Sequence, residues 1–201
     1  MATYTFPSGV KTISIPAGKE IVRVHQLGKS ALWYGPGAGQ PPAYRFDAPA
    51  GEYGTLYCAE ELTGAFVETV LRKARRIVGW PFVEVRGWTV LACKRELHLA
   101  KVFDEGLALH GVTNDICAGD DYSVSQRFAC DLFAKAPNVD GIAYRARHNN
   151  GQICYAVFDR VAEPEFTVLD HRAFRAERAI VEKIMKEHGA VWDPMMPLPS
   201  A

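Results

Sequence analysis

Little in this sequence assigns it to a class at sight. Its five cysteines (Cys58, Cys93, Cys117, Cys130 and Cys154) form no C-x-x-C pair and are odd in number, so they read as reduced, mostly buried thiols. Charge of either sign is not in excess: Lys plus Arg and Asp plus Glu are 23 each, giving a formal net charge of zero. That balance argues against a dedicated nucleic-acid binder, whose affinity comes from neutralising phosphates with surplus basic charge. The one basic run, RKARR at 72–76, reads as the solvated face of a helix. No apolar stretch is long enough to span a bilayer. The opening MATYTFPSGVKTISIPAG lacks the apolar core of an export signal. A soluble cytoplasmic protein is therefore expected, with no membrane partner and no direct nucleic-acid partner. The six histidines show neither H-E-x-x-H nor any paired ligand spacing, so no metal is expected. A Walker loop and a G-x-S-x-G elbow are also missing.

What is present is ordinary globular composition: 201 residues, 48% hydrophobic and 23% charged, enough for one domain with a substantial core. Residues 1–20, broken by Pro7, Gly9, Pro16 and Gly18, form an arm with one short strand at Thr12–Ile15. A domain follows over 21–190, then a proline-rich tail over 191–201 that is expected to be extended. Strands are predicted at Ile21–Val24, Thr55–Cys58, within Phe82–Cys93, at Leu97–Phe103, Gly141–Tyr144, Ile153–Phe158 and Phe166–Leu169. His148-Asn149-Asn150-Gly151 has the chemistry of a hairpin turn between two of these. Helical spacing appears from Leu62 through Phe66, Val70 and Ala74, again near 124–135 behind Ser123 or Ser125, and from an Asp170 cap to His188. Asp104 is placed to cap a short helix ending at Gly111. Gly35, Gly37 and Gly39 suggest a nucleotide loop, but Pro41 and Pro42 forbid the helix that such a loop must open, so this stretch is read as a surface loop or lid. Strands and helices mix without βα alternation, which favours an α+β domain.

The stretch Arg45–Glu68, RFDAPAGEYGTLYCAEELTGAFVE, organises the rest. Its Gly51 and Gly54 turn the chain before a short apolar strand. Arg45 carries a fork of donors suited to phosphate oxygens. Tyr57, in an apolar run, is on its own an ordinary core tyrosine. Glu68 is on its own a helix-surface glutamate paired at i+4 with Arg72.

Those residues resemble a known pattern. Arg-Phe, then Gly-x-Leu-Tyr-x-Ala, then a helix carrying Glu68 is similar to the start of the RES domain, a family named for an arginine, a glutamate and a serine. DDYSVSQRFACDLF resembles that family's Tyr-x-x-(Ser/Thr)-Gln-x-(aromatic)-Ala helix. DGIAYRARHNNGQICYAVFD resembles its Asp-Gly-(Ile/Leu)-x-Tyr-x-Ser-Arg segment and following strand. The three segments cover roughly residues 20 to 160.

The resemblance implies a compact fold like the ADP-ribosyltransferase core, with a split mixed sheet and flanking helices around a nicotinamide dinucleotide cleft. It implies an enzyme that cleaves NAD at the nicotinamide–ribose bond, passing the ADP-ribosyl unit to water or phosphate, and that serves as the toxin of a toxin–antitoxin pair. The implied partner is a helix-turn-helix antitoxin; the oligomeric state, homo-oligomers included, is left open. Arg45 would hold the pyrophosphate with Arg23, Tyr57 the nicotinamide side, and Glu68 the ribose and its developing charge. Gln126 fits the family's helix and is a further cleft candidate. The family serine falls at Ala146, which can neither donate nor accept. This leaves a weakened enzyme, a ligand-binding relic, or a site completed by Tyr144, Arg147 or water. Two rivals follow: a transferase modifying a macromolecule, and a catalytically dead binding module.

Overall fold

The structure, a computed structural model, describes residues 3–7, 9–36, 39–73 and 76–196. Its strands are β1 (Thr12–Ile15), β2 (Glu20–Gln26), β3 (Thr55–Ala59), β4 (Ile77–Val78), β5 (Arg86–Cys93), β6 (Leu97–Val102), β7 (Gly141–Ala146), β8 (Asn149–Phe158), β9 (Phe166–Ala173) and β10 (Val191–Trp192). Its helices are α1 (Leu62–Thr69), α2 (Trp80–Glu84), α3 (Glu105–Leu109), α4 (Asp115–Ala118), α5 (Ser123–Lys135) and α6 (Arg178–Glu187). Eight strands form one sheet in the order β1-β6-β7-β8-β3-β2-β5-β9, and β10 pairs with β4 separately. Within the large sheet only β6 and β7 run parallel. A parallel pair needs a long crossover, and α3, α4 and α5 supply it. The expected α+β domain, a mixed sheet with flanking helices, is what forms.

The strand period of two sorts side chains into two cores. On β2, Val22 and Val24 face a large cluster that packs Phe66 of α1, Phe128 and Leu132 of α5, and Val181 and Met185 of α6. Ile21 faces the other side, where Leu56, Leu91, Leu99 and Val157 form a smaller cluster. The N-terminal segment joins the fold: β1 lies along β6, and the Tyr4 ring packs edge-on against Phe128 at 5.3 Å.

Several local expectations change. Residues 82–84, expected in a strand, belong to α2, and Val85 follows as its C-cap: Gly79 is extended and Pro81 sits in the first turn, where its missing N–H costs nothing. The helix carrying Glu68 stops at Thr69, so Val70 and Leu71 lie beyond it, and Ala74 is outside the described residues. Asp170 is a strand residue of β9 opposite Val90, and the last helix begins only at Arg178, after a 3-10 turn at Phe174–Ala176. Neither Ser123 nor Ser125 caps α5; the Ser125 hydroxyl donates to the Tyr122 carbonyl instead. The β7–β8 hairpin turns at Arg147 and His148, leaving Asn150 and Gly151 inside β8. Helix α4 was not foreseen. At the start of the tail Val191 and Trp192 are strand residues that pair with β4; residues 197–201 are outside the described residues.

Gly141 opens β7 where the strand presses on β8. A Cβ there would lie 2.8 Å from Val157 Cα and closer still to the Ala156 carbonyl oxygen. The β8 backbone it would meet cannot yield. Gly141→Ala is expected to cost about 3 kcal/mol, read as a fall in melting temperature of about 6–12 °C.

Candidate active site

Between β2 and β3 the sheet is joined at one position, Val22 opposite Ala59. The neighbouring pairs, β2–β5 and β3–β8, run in register for their full lengths. Where β2 and β3 part, a cavity of about 330 Å³ opens. Its walls include consecutive residues of both strands: Arg23, Val24, His25 and Gln26 of β2, and Tyr57 and Cys58 of β3. Residues of opposite strand faces can line one hollow only where the ladder has separated.

Glu68 enters from α1. The helix buries Gly64, Ala65, Phe66 and Val67, which leaves Glu68 half-buried at its end, in the cavity wall. Its Oε1 accepts a 2.9 Å hydrogen bond from the Arg147 N–H in the β7–β8 turn. Burial pushes its carboxyl above the ordinary carboxylate range; the Arg147 N–H and the charge of Arg45 oppose the shift without cancelling it. The i+4 pair with Arg72 does not form. The helix has ended by then, and the Arg72 guanidinium lies over the Tyr44 ring, 5.7 Å from its centroid.

Arg45 is buried in the cavity wall. Its Nη1 donates to the carbonyls of Ile116 (3.3 Å) and Gly119 (2.9 Å), and its guanidinium lies 4.6 Å from the Tyr122 ring centroid. Arg23 is 6% exposed, and among the described residues its Nε and Nη1 have no hydrogen-bond partner. Burial lowers its pKa, yet a guanidinium stays charged at any working pH, so the burden appears as lost stability. An anion in the cavity would relieve it.

Tyr57 also lines the cavity, but its hydroxyl is committed. It donates to Asp47 Oδ1 at 2.9 Å and accepts from the Phe46 N–H at 2.9 Å. The ring is what remains for a ligand.

The structure does not bring Gln126 or Ala146 into the cavity wall. Gln126, on α5, donates to the Tyr44 carbonyl at 3.0 Å and so braces a wall residue. Ala146 is fully buried in the large core at the end of β7; its neighbours Tyr144 and Arg147 line the cavity instead.

Sequence reasoning passed over Lys29, Trp33, Tyr44, Arg72, Phe82, Arg86 and Tyr122, all in the wall. Arg86 follows the segment misread as a strand, and only adjacency to Arg45 marked Tyr44. His25 lines the wall too, but burial keeps its ring neutral. Its Nδ1–H donates to the Gln26 carbonyl, so its Nε2 accepts from the Thr89 hydroxyl at 2.9 Å and offers the cavity no proton chemistry. The wall thus carries six basic side chains, Arg23, Lys29, Arg45, Arg72, Arg86 and Arg147, against one carboxylate, Glu68. Of the six, Arg147 is paired, with Asp120 at 2.8 Å; the other five have no carboxylate ion pair among the described residues. Among the described residues, no group of three or more His, Cys, Asp or Glu could hold a metal ion and no helix is long and apolar enough to cross a membrane.

A mixed sheet parted around a basic, aromatic-lined hollow with one half-buried carboxylate defines an α+β domain with an open, cationic cleft. The family follows from comparison. The RES domain model matches residues 20–178, and the chain belongs to that family. In fold it is similar to a chain in the crystal structure of the M. tuberculosis MbcT–MbcA toxin–antitoxin complex. That match has 16% identity, a TM-score of 0.64, and covers 83% of this chain and 92% of that one. No curated protein matches.

Because folded Glu68 holds its proton more tightly than the unfolded chain does, stability falls as pH rises from the ordinary carboxylate pKa through the raised one. Glu68→Gln keeps an oxygen for the Arg147 N–H and removes the charge. Its melting temperature at pH 8 should exceed wild type by about 2–4 °C. Below the ordinary carboxylate range the two proteins should melt together. Equal melting temperatures at pH 8 would show that the ionised carboxylate carries no penalty.

Proposed function

We propose that the cleft binds NAD, that the protein cleaves its nicotinamide–ribose bond, and that water or phosphate takes the ADP-ribosyl unit. The observation that carries this reading is the buried Arg23, whose Nε and Nη1 have no partner among the described residues, in the same cavity as one half-buried carboxylate. Cations without carboxylate partners suit a pyrophosphate, and aromatic faces suit flat heterocycles. A cavity of about 330 Å³ falls in the range of small-molecule sites. Family membership and a fold shared with a toxin–antitoxin structure support the same reading.

In this mechanism Arg23 and Arg45 hold the pyrophosphate, and the Tyr57 ring flanks the nicotinamide side. As the glycosidic C–N bond breaks, its electron pair leaves with nicotinamide, which departs neutral, and positive charge builds on the ribose. The Glu68 carboxylate, held by the Arg147 N–H, stabilises that charge and orients the entering oxygen. Attack by water releases one proton to solvent. Ionised Glu68 is the working form, so the acid limb of the rate profile lies above the ordinary carboxylate range.

As a member of a family with this activity, the protein would act as a toxin that depletes NAD in the cytoplasm, restrained by a helix-turn-helix antitoxin covering the cleft. Ala146 favours one other reading, an impaired NAD-binding module. It is buried without a hydroxyl where the family serine is expected, so no side-chain hydrogen bond can come from that position.

Purified protein incubated with NAD, with and without phosphate, is expected to release nicotinamide with ADP-ribose or its 1-phosphate. Chromatography of the products distinguishes the acceptors, and a labelled macromolecule would indicate a transferase instead. Glu68→Gln should slow nicotinamide release by about 100-fold or more; equal rates would remove Glu68 from the mechanism. NAD that raises the melting temperature without nicotinamide release would establish the binding module, and turnover gained by Ala146→Ser would locate the defect. Arg23→Met should melt higher than wild type and bind NAD at least about tenfold more weakly by calorimetry.

A further inference from the structure

Arg45 reaches the cavity from a loop with no helix or strand of its own. Something else must hold it. The loop's polar groups converge on Asp47, which is 3% exposed and lies outside the main cavity's wall. Asp47 Oδ2 accepts from the N–H groups of Ala43 (2.9 Å) and Tyr44 (2.8 Å). Its Oδ1 accepts from the Tyr57 hydroxyl at 2.9 Å, and that hydroxyl in turn accepts from the Phe46 N–H. The Phe46 carbonyl is also held, by the hydroxyls of Tyr53 (3.1 Å) and Thr55 (3.2 Å). Backbone groups on both sides of Arg45 are therefore fastened, and three of those bonds run through the carboxylate and phenol pair of Asp47 and Tyr57. The strand residue anchors the loop to β3, and the carboxylate gathers the loop around it.

We infer that Asp47 is a positioning residue for the anionic ligand: with the Tyr57 hydroxyl it clamps the 43–47 loop so that Arg45 and Tyr44 face the cleft. This rests on the NAD reading, and it gives the Tyr57 hydroxyl a task separate from that of its ring. Three features suit the role. Both carboxylate oxygens are engaged, which fixes the orientation of the group that sets the loop. Burial and the nearby Asp47 charge push the Tyr57 phenol well above its ordinary value, so it remains a donor throughout the working pH range. The Arg45 guanidinium completes the arrangement from the far side through Ile116, Gly119 and Tyr122. A clamp of this kind lowers the ordering that a ligand must otherwise impose.

The test is a mutant cycle read by calorimetric binding of ADP-ribose, which needs no turnover. Asp47→Asn puts an amide where two N–H groups and a phenol all donate, and Tyr57→Phe removes the bridge from its other end. Each is expected to weaken ADP-ribose binding about tenfold or more in the wild-type background, and to change it little once Arg45→Gln is present. A loss that persists undiminished in the Arg45→Gln background would overturn the proposal, because the residue would then act on the fold or the ligand rather than through Arg45. Unchanged affinity in Asp47→Asn or in Tyr57→Phe would overturn it equally. Should Asp47→Asn fail to fold, the Tyr57→Phe cycle alone decides. Wild-type protein that binds neither NAD nor ADP-ribose would instead reject the ligand assignment itself, a different result from a folded, binding-competent wild type with an uncoupled Asp47.

Discussion

The separation of β2 from β3 beyond Val22 and Ala59 is the constraint on which the rest depends. A sheet joined at full length here would turn Arg23 into one core and Tyr57 into the other, with no hollow between. The parting gives up ladder hydrogen bonds, and the surrounding structure compensates. β2 pairs with β5 along its whole length, and β3 does the same with β8, so each lip of the opening is held from behind. The two apolar cores on either face keep those halves rigid. The opening is therefore a fixed feature of the fold rather than a loose seam.

The charges placed in that opening work against stability. A buried guanidinium whose Nε and Nη1 have no hydrogen-bond partner among the described residues and a half-buried carboxylate raised by desolvation both weigh against folding. Under the function proposed above, each gains its complement when the ligand's charge arrives. Such groups persist where the surrounding structure over-determines them, and here it does: α1 sets Glu68, the β7–β8 turn supplies its hydrogen-bond donor, and β2 carries Arg23 on a fully paired strand. A neutral chain has thus concentrated in one hollow five cations without carboxylate partners among the described residues, which its overall charge does not disclose.

Much of the site was legible because the residues carrying it lie close together in sequence. Arg45, Tyr57 and Glu68 belong to one stretch, and that stretch resembles a family pattern in order and spacing. All three line the cavity. The misreadings have common physical causes. Phe82–Val85 has an apolar content that suits either a strand or a helix, and only Gly79 and Pro81, read as a stop, showed that a helix starts there. Asp170 has the chemistry of a cap but is claimed by pairing with β5. Ala146 and Gln126 occupy motif positions and lie behind the wall, because a motif records position along the chain and not the direction in which a side chain leaves it.

By itself the sequence determined the class of fold, the resemblance to the family, and four members of the cleft, Arg23, Arg45, Tyr57 and Glu68, since these follow from periodicity, turn residues and a local pattern of residue types. Tertiary structure alone decided that β2 and β3 part, that Glu68 bonds to the turn after β7 instead of to Arg72, and that Arg86, Arg72 and Lys29 share the hollow. It also decided that the Tyr57 hydroxyl serves Asp47. The physical reason is distance along the chain. Burial, desolvation and hydrogen-bond partners are set by groups dozens of residues away, and no local pattern encodes which of them will meet.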